Sequence, residues 1–305
     1  MVQYRQSGIR DNLELRARII QSAREFFIGQ GYLEVETPLR IPAPAPEAHI
    51  DAEASGDWFL QTSPELCMKR LLAAGYEKIF QICKCFRKKE RGSRHLPELT
   101  LLEWYHLGQD YQALMVQCEQ LIGFILKALD LGESITYQGT EIDLKTPWKR
   151  LSVSQAFDTY ASMPIDNALK SDRFDEAMID EIEPSLGFNP IFLYDYPACR
   201  GALARLKADD KSLAERFELY IGGLELCNGF SELTDPEEQR ARFEKELSFR
   251  KSSGNIAYPM PEKFLRALAG LPDAAGNALG LDRLVMLFAD AKAIDDVVSF
   301  TPEEL

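Results

Sequence analysis

Residues 86–105 read FRKKERGSRHLPELTLLEWY, and they decide the fold more than any other stretch of this chain. A strand-like run, KIFQICKCF at residues 78–86, leads into a loop, and LTLLEWY at residues 99–105 has the pattern of a returning strand. The loop is rich in cationic side chains, namely Arg87, Lys88, Lys89, Arg91, Arg94 and His95. Because guanidinium and ammonium groups match phosphate oxygens, this arrangement predicts a site for a polyphosphate.

The chain around this loop is acidic. Its 305 residues include 35 Lys and Arg against 48 Asp and Glu, which gives a net charge of −13. Such a charge disfavours long-range attraction to nucleic acid, so tRNA is not an expected partner, and nor is an anionic membrane. No apolar run is long enough to cross a bilayer, and the N-terminus lacks the apolar core of a signal peptide. We therefore expect a cytoplasmic protein.

The six cysteines are scattered among apolar neighbours, without further Cys or His at metal-ligand spacing. They are expected to be reduced, buried thiols.

The remaining patterns alternate helix and strand in an order typical of the α+β class, with one sheet assembled from distant strands. Helix patterns occupy residues 12–28, 64–74, 111–129, 152–185 and 235–250. Strand patterns occupy residues 32–37, 190–195 and 214–230, residues 131–147 read as a hairpin, and residues 275–288 read as a strand followed by a helix. We expect a single domain over residues 1–305.

A second cluster of candidate residues lies in RFELYIGGLELCNGFSEL, at residues 216–233. Carboxylates on otherwise apolar strands cost desolvation free energy unless cations lie against them. Magnesium or a substrate amine is a suitable cation, since Mg²⁺ favours carboxylate and phosphate oxygens. The alternative from spacing alone is ordinary alternation, with each Glu facing water.

Two shorter motifs add weaker signals. In GNALGLDRLVM, at residues 276–286, glycines allow close approach of a ligand, and Arg283 in the first helical turn can point toward it. The alternative is a Gly-rich turn capped by Asp282. In TSPE, at residues 62–65, Ser63 is a suitable helix N-cap and Pro64 a suitable first helical residue, which is also a purely structural explanation.

Together and in this order, these segments resemble the catalytic domain of class II aminoacyl-tRNA synthetases, specifically the lysyl-tRNA synthetase branch. Residues of about 12–40, which include GYLEVETP, are similar to motif 1; those of about 78–107 to motif 2; and those of about 275–289 to motif 3. The resemblance implies an antiparallel sheet flanked by helices, and a homodimer formed through motif 1.

One feature departs from the lysyl enzymes, which carry an N-terminal OB-fold domain. Motif 1 begins almost at the start of this chain, so no OB-fold domain is expected. Ser63 stands where lysyl-tRNA synthetases usually have Ala, and Ala278 where they have Gly. All three features resemble the elongation factor P–lysine ligases, a family of truncated lysyl-tRNA synthetase paralogues.

That resemblance implies an ATP-dependent ligase that requires Mg²⁺. It would activate (R)-β-lysine as an aminoacyl-adenylate and transfer it to a lysine side chain of elongation factor P. Two alternatives remain open from sequence: a synthetase-like enzyme that acts on tRNA or another acceptor, and a non-catalytic regulatory paralogue.

The resemblance also implies roles for individual residues. In the ATP site, Arg87 would hold the α-phosphate and His95 and Arg283 the β/γ end; the other implied ATP-site residues are Lys88, Lys89, Leu96, Glu225, Leu226 and Gly280. Glu218 and Glu225 would hold Mg²⁺. The implied amino-acid pocket consists of Ser63, Pro64, Glu65, Glu103, Tyr105, Asn228, Phe230, Glu232 and Ala278. Glu232 would receive the terminal ammonium, and Ala278 would help to select β-lysine.

The cationic loop departs from the family pattern. Lys88 and Lys89 replace the usual Asn-Glu pair after the first Arg, and Leu96 and Leu99 replace an Asn and the Phe that stacks on adenine. We expect that either Glu90 reaches the adenine from one residue later, or backbone groups hold the base.

Overall fold

A computed structural model describes residues 4–305; residues 1–3 of the expected domain lie outside the described part. Its central feature is a sheet of eight strands, in the order β1-β5-β6-β13-β12-β11-β10-β9. These strands are β1 (Leu33–Glu34), β5 (Lys78–Phe86), β6 (Glu98–Leu107), β9 (Lys149–Ser152), β10 (Ile191–Pro197), β11 (Leu213–Ile221), β12 (Leu224–Ser231) and β13 (Ala274–Gly280). Two smaller sheets contain β2 (Arg40–Ile41), β3 (Ala54–Ser55) and β4 (Trp58–Leu60), and β7 (Ser134–Tyr137) and β8 (Thr140–Asp143).

The middle of the large sheet is antiparallel from β5 through β10, as the resemblance implied. Only the outer strands are parallel to their neighbours, β1 to β5 and β9 to β10. The α+β class is thus confirmed, and no barrel occurs among the strands of residues 4–305.

The predicted helical stretches are largely helical, but residues 152–185 are divided into several short helices, and the helix Glu262–Leu268 was not predicted. The helices are α1 (Arg5–Gly8), α2 (Arg10–Gly29), α3 (Glu65–Ala73), α4 (Tyr111–Ala128), α5 (Val153–Tyr160), α6 (Ile165–Lys170), α7 (Phe174–Ala177), α8 (Pro236–Ser252), α9 (Glu262–Leu268) and α10 (Leu281–Phe288). A π-helical turn (Met178–Ile182) and a 3₁₀ turn (Glu183–Ser185) extend α7. The apolar faces of α2, α4 and α10 form one core with the sheet, and α3 and α9 belong to a second core.

The turn between β11 and β12 explains how the sequence places one side of the candidate site. Gly222 and Gly223 have φ values of 63° and 70°, which favour glycine. A Cβ atom on Gly222 would also lie 2.8 Å from the ring of Tyr137 and 2.9 Å from Leu287. This tight turn positions Glu225 near the start of β12, at the end of the sheet where the cationic loop lies.

The cysteine prediction is partly wrong. All six cysteines lie in the described residues and are free, and Cys85, Cys118 and Cys227 are buried. Cys199, however, is exposed in the middle of a short 3₁₀ turn, Ala198–Arg200, that follows β10. Within residues 4–305 we find no helix with the length and apolarity that a membrane span requires.

Candidate active site

A cavity of about 870 Å³ opens over one face of the large sheet. One part of its lining is acidic and includes Glu65 and Glu103, and another part is cationic and includes Arg87, His95 and Arg283. Both sets of predicted residues therefore line one space.

Strand register explains why residues far apart in sequence form the floor of this cavity. Residues paired across a sheet share a face, and alternate residues along each strand do so as well. Two adjacent rows result: Glu218–Asn228–Ala278–Glu103 and Arg216–Phe230–Gly276–Tyr105. All eight residues line the cavity. Ala278 thus lies between Asn228 and Glu103 in the floor of the acidic part.

Ser63 connects the two acidic residues of the lining. Its hydroxyl donates to Oε1 of Glu103 at 2.7 Å and accepts from the backbone N–H of Glu65 at 3.0 Å. The hydroxyl of Tyr105 donates to the other oxygen of Glu103 at 2.8 Å. Burial raises the pKa of Glu103 to about 7, although these two hydrogen bonds act in the opposite direction. An alanine at position 63 would remove one of the two donors.

Glu232 occupies a different position from the one the sequence implied. It is fully buried and lies behind the lining rather than in it, and its carboxylate forms an ion pair with Lys69. The ammonium of Lys69 also lies 2.6 Å from Oε1 of Glu65, one helical turn earlier in α3. Burial raises the pKa of Glu232 to about 8, and the charge of Lys69 opposes that shift.

Gly276 is required for the close packing of this end. A Cβ atom there would overlap both the ring of Tyr105 and Oε1 of Glu232. The absence of a side chain lets the floor approach the buried carboxylate.

At the cationic part, Arg87 has no close side-chain partner among residues 4–305. Its backbone N–H donates to the carbonyl of Pro97 at 2.8 Å, which anchors the loop. Its guanidinium lies 3.8 Å from Glu90, its buried Nε has no hydrogen-bond acceptor, and its side chain is 26% exposed. An arginine with donors to spare in a cavity can bind an anion.

Arg283 projects from the first turn of α10 toward the same loop. It donates to the carbonyl of Glu225 at 2.7 Å and to its Oε2 at 3.2 Å, and Nη2 lies 2.5 Å from Nε2 of His95. Burial and the neighbouring charge of Arg283 lower the pKa of His95. Gly280 and Leu226, also predicted for the ATP site, line the cavity beside this group.

The structure does not bring every predicted residue into the lining. Lys88 and Lys89 are absent from it: the backbone N–H of Lys88 donates to the carbonyl of Asp51, and Nζ of Lys89 lies 3.7 Å from the carboxylate of Asp51 with the side chain 74% exposed. Pro64 precedes α3 and is also outside the lining. The loop turns at Lys89, where φ is 67°, and this directs its side chain outward.

The other replacements in the loop do line the cavity. Glu90 and Leu99 contribute to the lining, and Leu96 both lines the cavity and packs in the main core with 4% exposure. Leu96 therefore offers an apolar surface rather than a polar contact.

The two carboxylates predicted to bind magnesium differ in how many hydrogen bonds they already accept. Glu218 is held by three donors: Tyr196 and Tyr220 at 2.6 and 2.7 Å on Oε2, and Arg216 at 2.6 Å on Oε1. The side chain of Glu225 is 39% exposed, with the single longer contact to Arg283. No group of three or more potential metal ligands occurs within residues 4–305. Mg²⁺ usually needs only one or two carboxylates beside phosphate oxygens, so Glu225 fits that role and Glu218 fits it less well.

Sequence reasoning missed several charged residues at the site, among them Lys69, Arg216 and Glu183. Glu183 lines the cavity, and burial together with the charges of Glu218 and Glu225 raises its pKa to about 7. Nothing in the sequence indicated that residue. For Lys69 a signal existed, because an acid and a base four residues apart on a helix commonly pair.

Comparison with known proteins agrees with this architecture. The family described as class II tRNA synthetases (D, K and N) matches residues 1–304. The chain belongs to that class of enzyme.

Individual relatives indicate which family within this class the chain belongs to. The proteins named elongation factor P–(R)-β-lysine ligase in Salmonella dublin, Salmonella gallinarum and Salmonella paratyphi B are each 38% identical to this chain. Each alignment covers 95% of this chain and 94% of the relative. The chain is a member of the elongation factor P–(R)-β-lysine ligase family, and hence a ligase built on a class II synthetase domain.

Proposed function

We propose that this protein activates (R)-β-lysine with ATP and transfers it to a lysine side chain of elongation factor P. The names of the Salmonella relatives support the choice of substrates, and the family supports the chemistry.

One observation carries the proposal: a single cavity joins an acidic part to a cationic part. Glu65 and Glu103 suit the ammonium groups of an amino acid, while Arg87 and Arg283 suit the phosphates of ATP. A substrate carboxylate placed between them would face the α-phosphate. This is the arrangement that adenylate formation requires.

In the first step, an oxygen of the substrate carboxylate attacks the α-phosphorus, and the bond to the β-phosphate oxygen breaks. Pyrophosphate leaves with the electron pair. Arg87 donates to the α-phosphate as negative charge builds there, while His95 and Arg283 hold the departing end. A magnesium ion bound by Glu225 and phosphate oxygens would supply further charge compensation.

In the second step, the neutral amine of the acceptor lysine attacks the carbonyl carbon of the adenylate. The C–N bond forms, the bond from that carbon to the phosphate oxygen breaks, AMP leaves with the electron pair, and the nitrogen releases a proton to solvent. No covalent bond to the enzyme is needed. The cationic part again faces the leaving phosphate, so the same side chains serve both steps.

Selection of the β-amino isomer is proposed to rest on Ala278. Its methyl group lies in the floor between Asn228 and Glu103, and Ser63 donates to Glu103. A methyl group at that point would clash with a substrate whose amino-bearing carbon lies against it, because a closely packed site has no room for extra volume. We expect Ala278→Gly to shift the ratio of kcat/KM toward α-lysine; an unchanged ratio would remove Ala278 as the selector.

The homodimer stays a prediction. Its support is the exposure of large apolar side chains in the motif 1 segment, where Ile28, Leu33 and Leu39 are 59%, 51% and 43% exposed. Light scattering or sedimentation of the purified protein would test it.

The central experiment incubates the protein with ATP, Mg²⁺ and either α-lysine or (R)-β-lysine, and then adds elongation factor P or tRNA. We expect pyrophosphate exchange that is faster with (R)-β-lysine, and a mass gain on elongation factor P. Exchange followed by transfer to tRNA alone would favour a synthetase-like enzyme. No exchange with any lysine isomer would leave only a non-catalytic role.

A further inference from the structure

The acidic end of the cavity contains a buried cation that the proposed mechanism does not use. Lys69 is 1% exposed and lies among Glu65, Glu232 and Phe230. Its ammonium forms ion pairs with both carboxylates and lies 5.1 Å from the centre of the Phe230 ring. Phe230 and Glu65 line the cavity, so Lys69 supports it directly from behind.

A count of charges gives this lysine a specific meaning. Three carboxylates, on Glu65, Glu103 and Glu232, lie around Ser63 and Lys69, and Lys69 is the one basic side chain paired with any of them among residues 4–305. Glu47 also lines the cavity and interacts with Glu65, but the positive charges of Arg87 and Arg216 act on Glu47 as well. With all four groups ionised, two negative charges remain. An amino acid that carries one amine near its carboxylate and a second amine on its side chain brings two ammonium groups. These two positive charges would balance the two remaining negative charges.

We propose that Lys69 is a positioning residue that fixes Glu65 and Glu232 and compensates one of the three carboxylates, so that the pocket accepts a diamino acid. This inference rests on the proposed function, since it concerns the substrate of the same site.

The surroundings of Glu232 indicate that its ion pair with Lys69 favours the charged form of the carboxylate. Lys69 and Glu65 face it from α3, and Glu103 and Tyr105 face it from β6. Of these groups only Lys69 is cationic, and within the described part of the chain both oxygens of Glu232 lack any hydrogen-bond donor apart from that ion pair. A buried carboxylate left without its cation takes up a proton instead of remaining charged.

The test replaces Lys69 and measures lysine activation at several pH values. Lys69→Met keeps the length of the side chain, and Lys69→Gln keeps a hydrogen-bond donor; both remove the charge. Lys84→Met on β5 is a matched control, because Lys84 is 44% exposed and lies 3.4 Å from Glu98, outside the cavity. Pyrophosphate exchange gives KM and kcat, and calorimetry gives lysine affinity without turnover.

We expect KM for the lysine substrate at pH 7 to rise by roughly 10-fold or more in either variant, with a smaller change in kcat. Without Lys69, Glu232 ionises only at higher pH, so the acid limb of the affinity profile should move upward by about one pH unit. A wild-type profile in a folded variant would overturn the proposal. So would an equal loss at every pH, which is what a merely structural role predicts.

If neither variant folds, the wild-type protein provides the decisive measurement. Burial raises the pKa of Glu103 to about 7 and that of Glu232 to about 8, so the free site is partly protonated near pH 7. Because the two ammonium groups balance these carboxylates only in their ionised form, binding of a lysine isomer should release protons, which is visible as binding enthalpies that depend on the buffer. Binding without proton release would refute the inference.

The outcomes for this inference and for the proposed function can be told apart. Wild-type protein that binds lysine but never modifies elongation factor P would disprove the transfer step and leave this inference intact. Protein that binds no lysine isomer would disprove both.

Discussion

The two ends of the cavity are built in opposite ways. At the amino-acid end, Lys69 and Glu232 are almost completely buried, and Glu103 is held by two hydroxyl groups. At the phosphate end, Arg87 and Glu225 are partly exposed and have long contacts or none. The amino-acid end, which we call the closed end, is therefore organised before the substrate arrives, whereas the phosphate end, which we call the open end, leaves the guanidinium of Arg87 free for phosphate.

The largest effect should come from the open end. We expect Arg87→Ala to lower kcat for pyrophosphate exchange by about 10²–10³-fold, because a donor to the developing charge is lost and nothing nearby replaces it. Arg91→Ala is the control, since Arg91 pairs with Asp295 and Glu303 outside the cavity. Equal activities for the two variants would show that the open end does not bind the α-phosphate through Arg87.

The closed end should be sensitive to added volume. In Gly276→Ala the new methyl group would overlap Tyr105 and Glu232, so KM for lysine should rise roughly 30-fold, the equivalent of about 2 kcal/mol, while ATP affinity changes little. Gly123→Ala in α4 adds a methyl where no atom lies within 4 Å. A wild-type KM in Gly276→Ala would contradict the close packing described for this end.

The pH should affect the closed end more than the open one. Burial raises the pKa of Glu103 to about 7 and that of Glu232 to about 8, so both take up protons as pH falls from 8 to 6. Protonated carboxyls attract ammonium groups weakly, and lysine affinity should fall about 10-fold over that range. The same shifts should destabilise the free protein as pH rises from about 4.5, the ordinary pKa of Glu, to about 8, because the folded state holds these protons more tightly than the unfolded chain does. Calorimetry and thermal unfolding with and without lysine would measure both; lysine affinity independent of pH would contradict the assignment.

The smallest effect is expected for Ser63→Ala. The substitution removes the hydrogen bond from Ser63 to Glu103 and leaves the bond from Tyr105. Loss of one such bond costs about 1 kcal/mol, so KM for lysine should rise roughly 5-fold. Ser248→Ala on α8, where the hydroxyl bonds only to the carbonyl of Glu244, is the control. A change in ATP affinity instead would mean that Ser63 serves the other end.

Most of the fold and the open end followed from the sequence, because they depend on local patterns. Strand alternation and the positions of Gly and Pro predicted β5, β6, β11 and β12, and Arg87, His95 and Arg283 were predicted and line one cavity. Lys89 and Glu232, which the sequence implied for the site, lie outside the cavity lining for a common reason. Whether Lys89 faces the cavity or Asp51, and whether Glu232 faces substrate or Lys69, depends on side-chain partners that only the packed structure defines.

The carboxylate of Asp282 joins three segments that are far apart in the chain. It accepts from the backbone N–H of Thr100 at 2.7 Å and pairs with Arg16 at 2.6 Å, and the next residue is Arg283. Contacts between such distant residues require the closure of long loops, which slows folding. Arg283 should therefore reach its final place late, after α2 and β6 have docked. During refolding, we expect ATP binding to recover more slowly than helical circular dichroism.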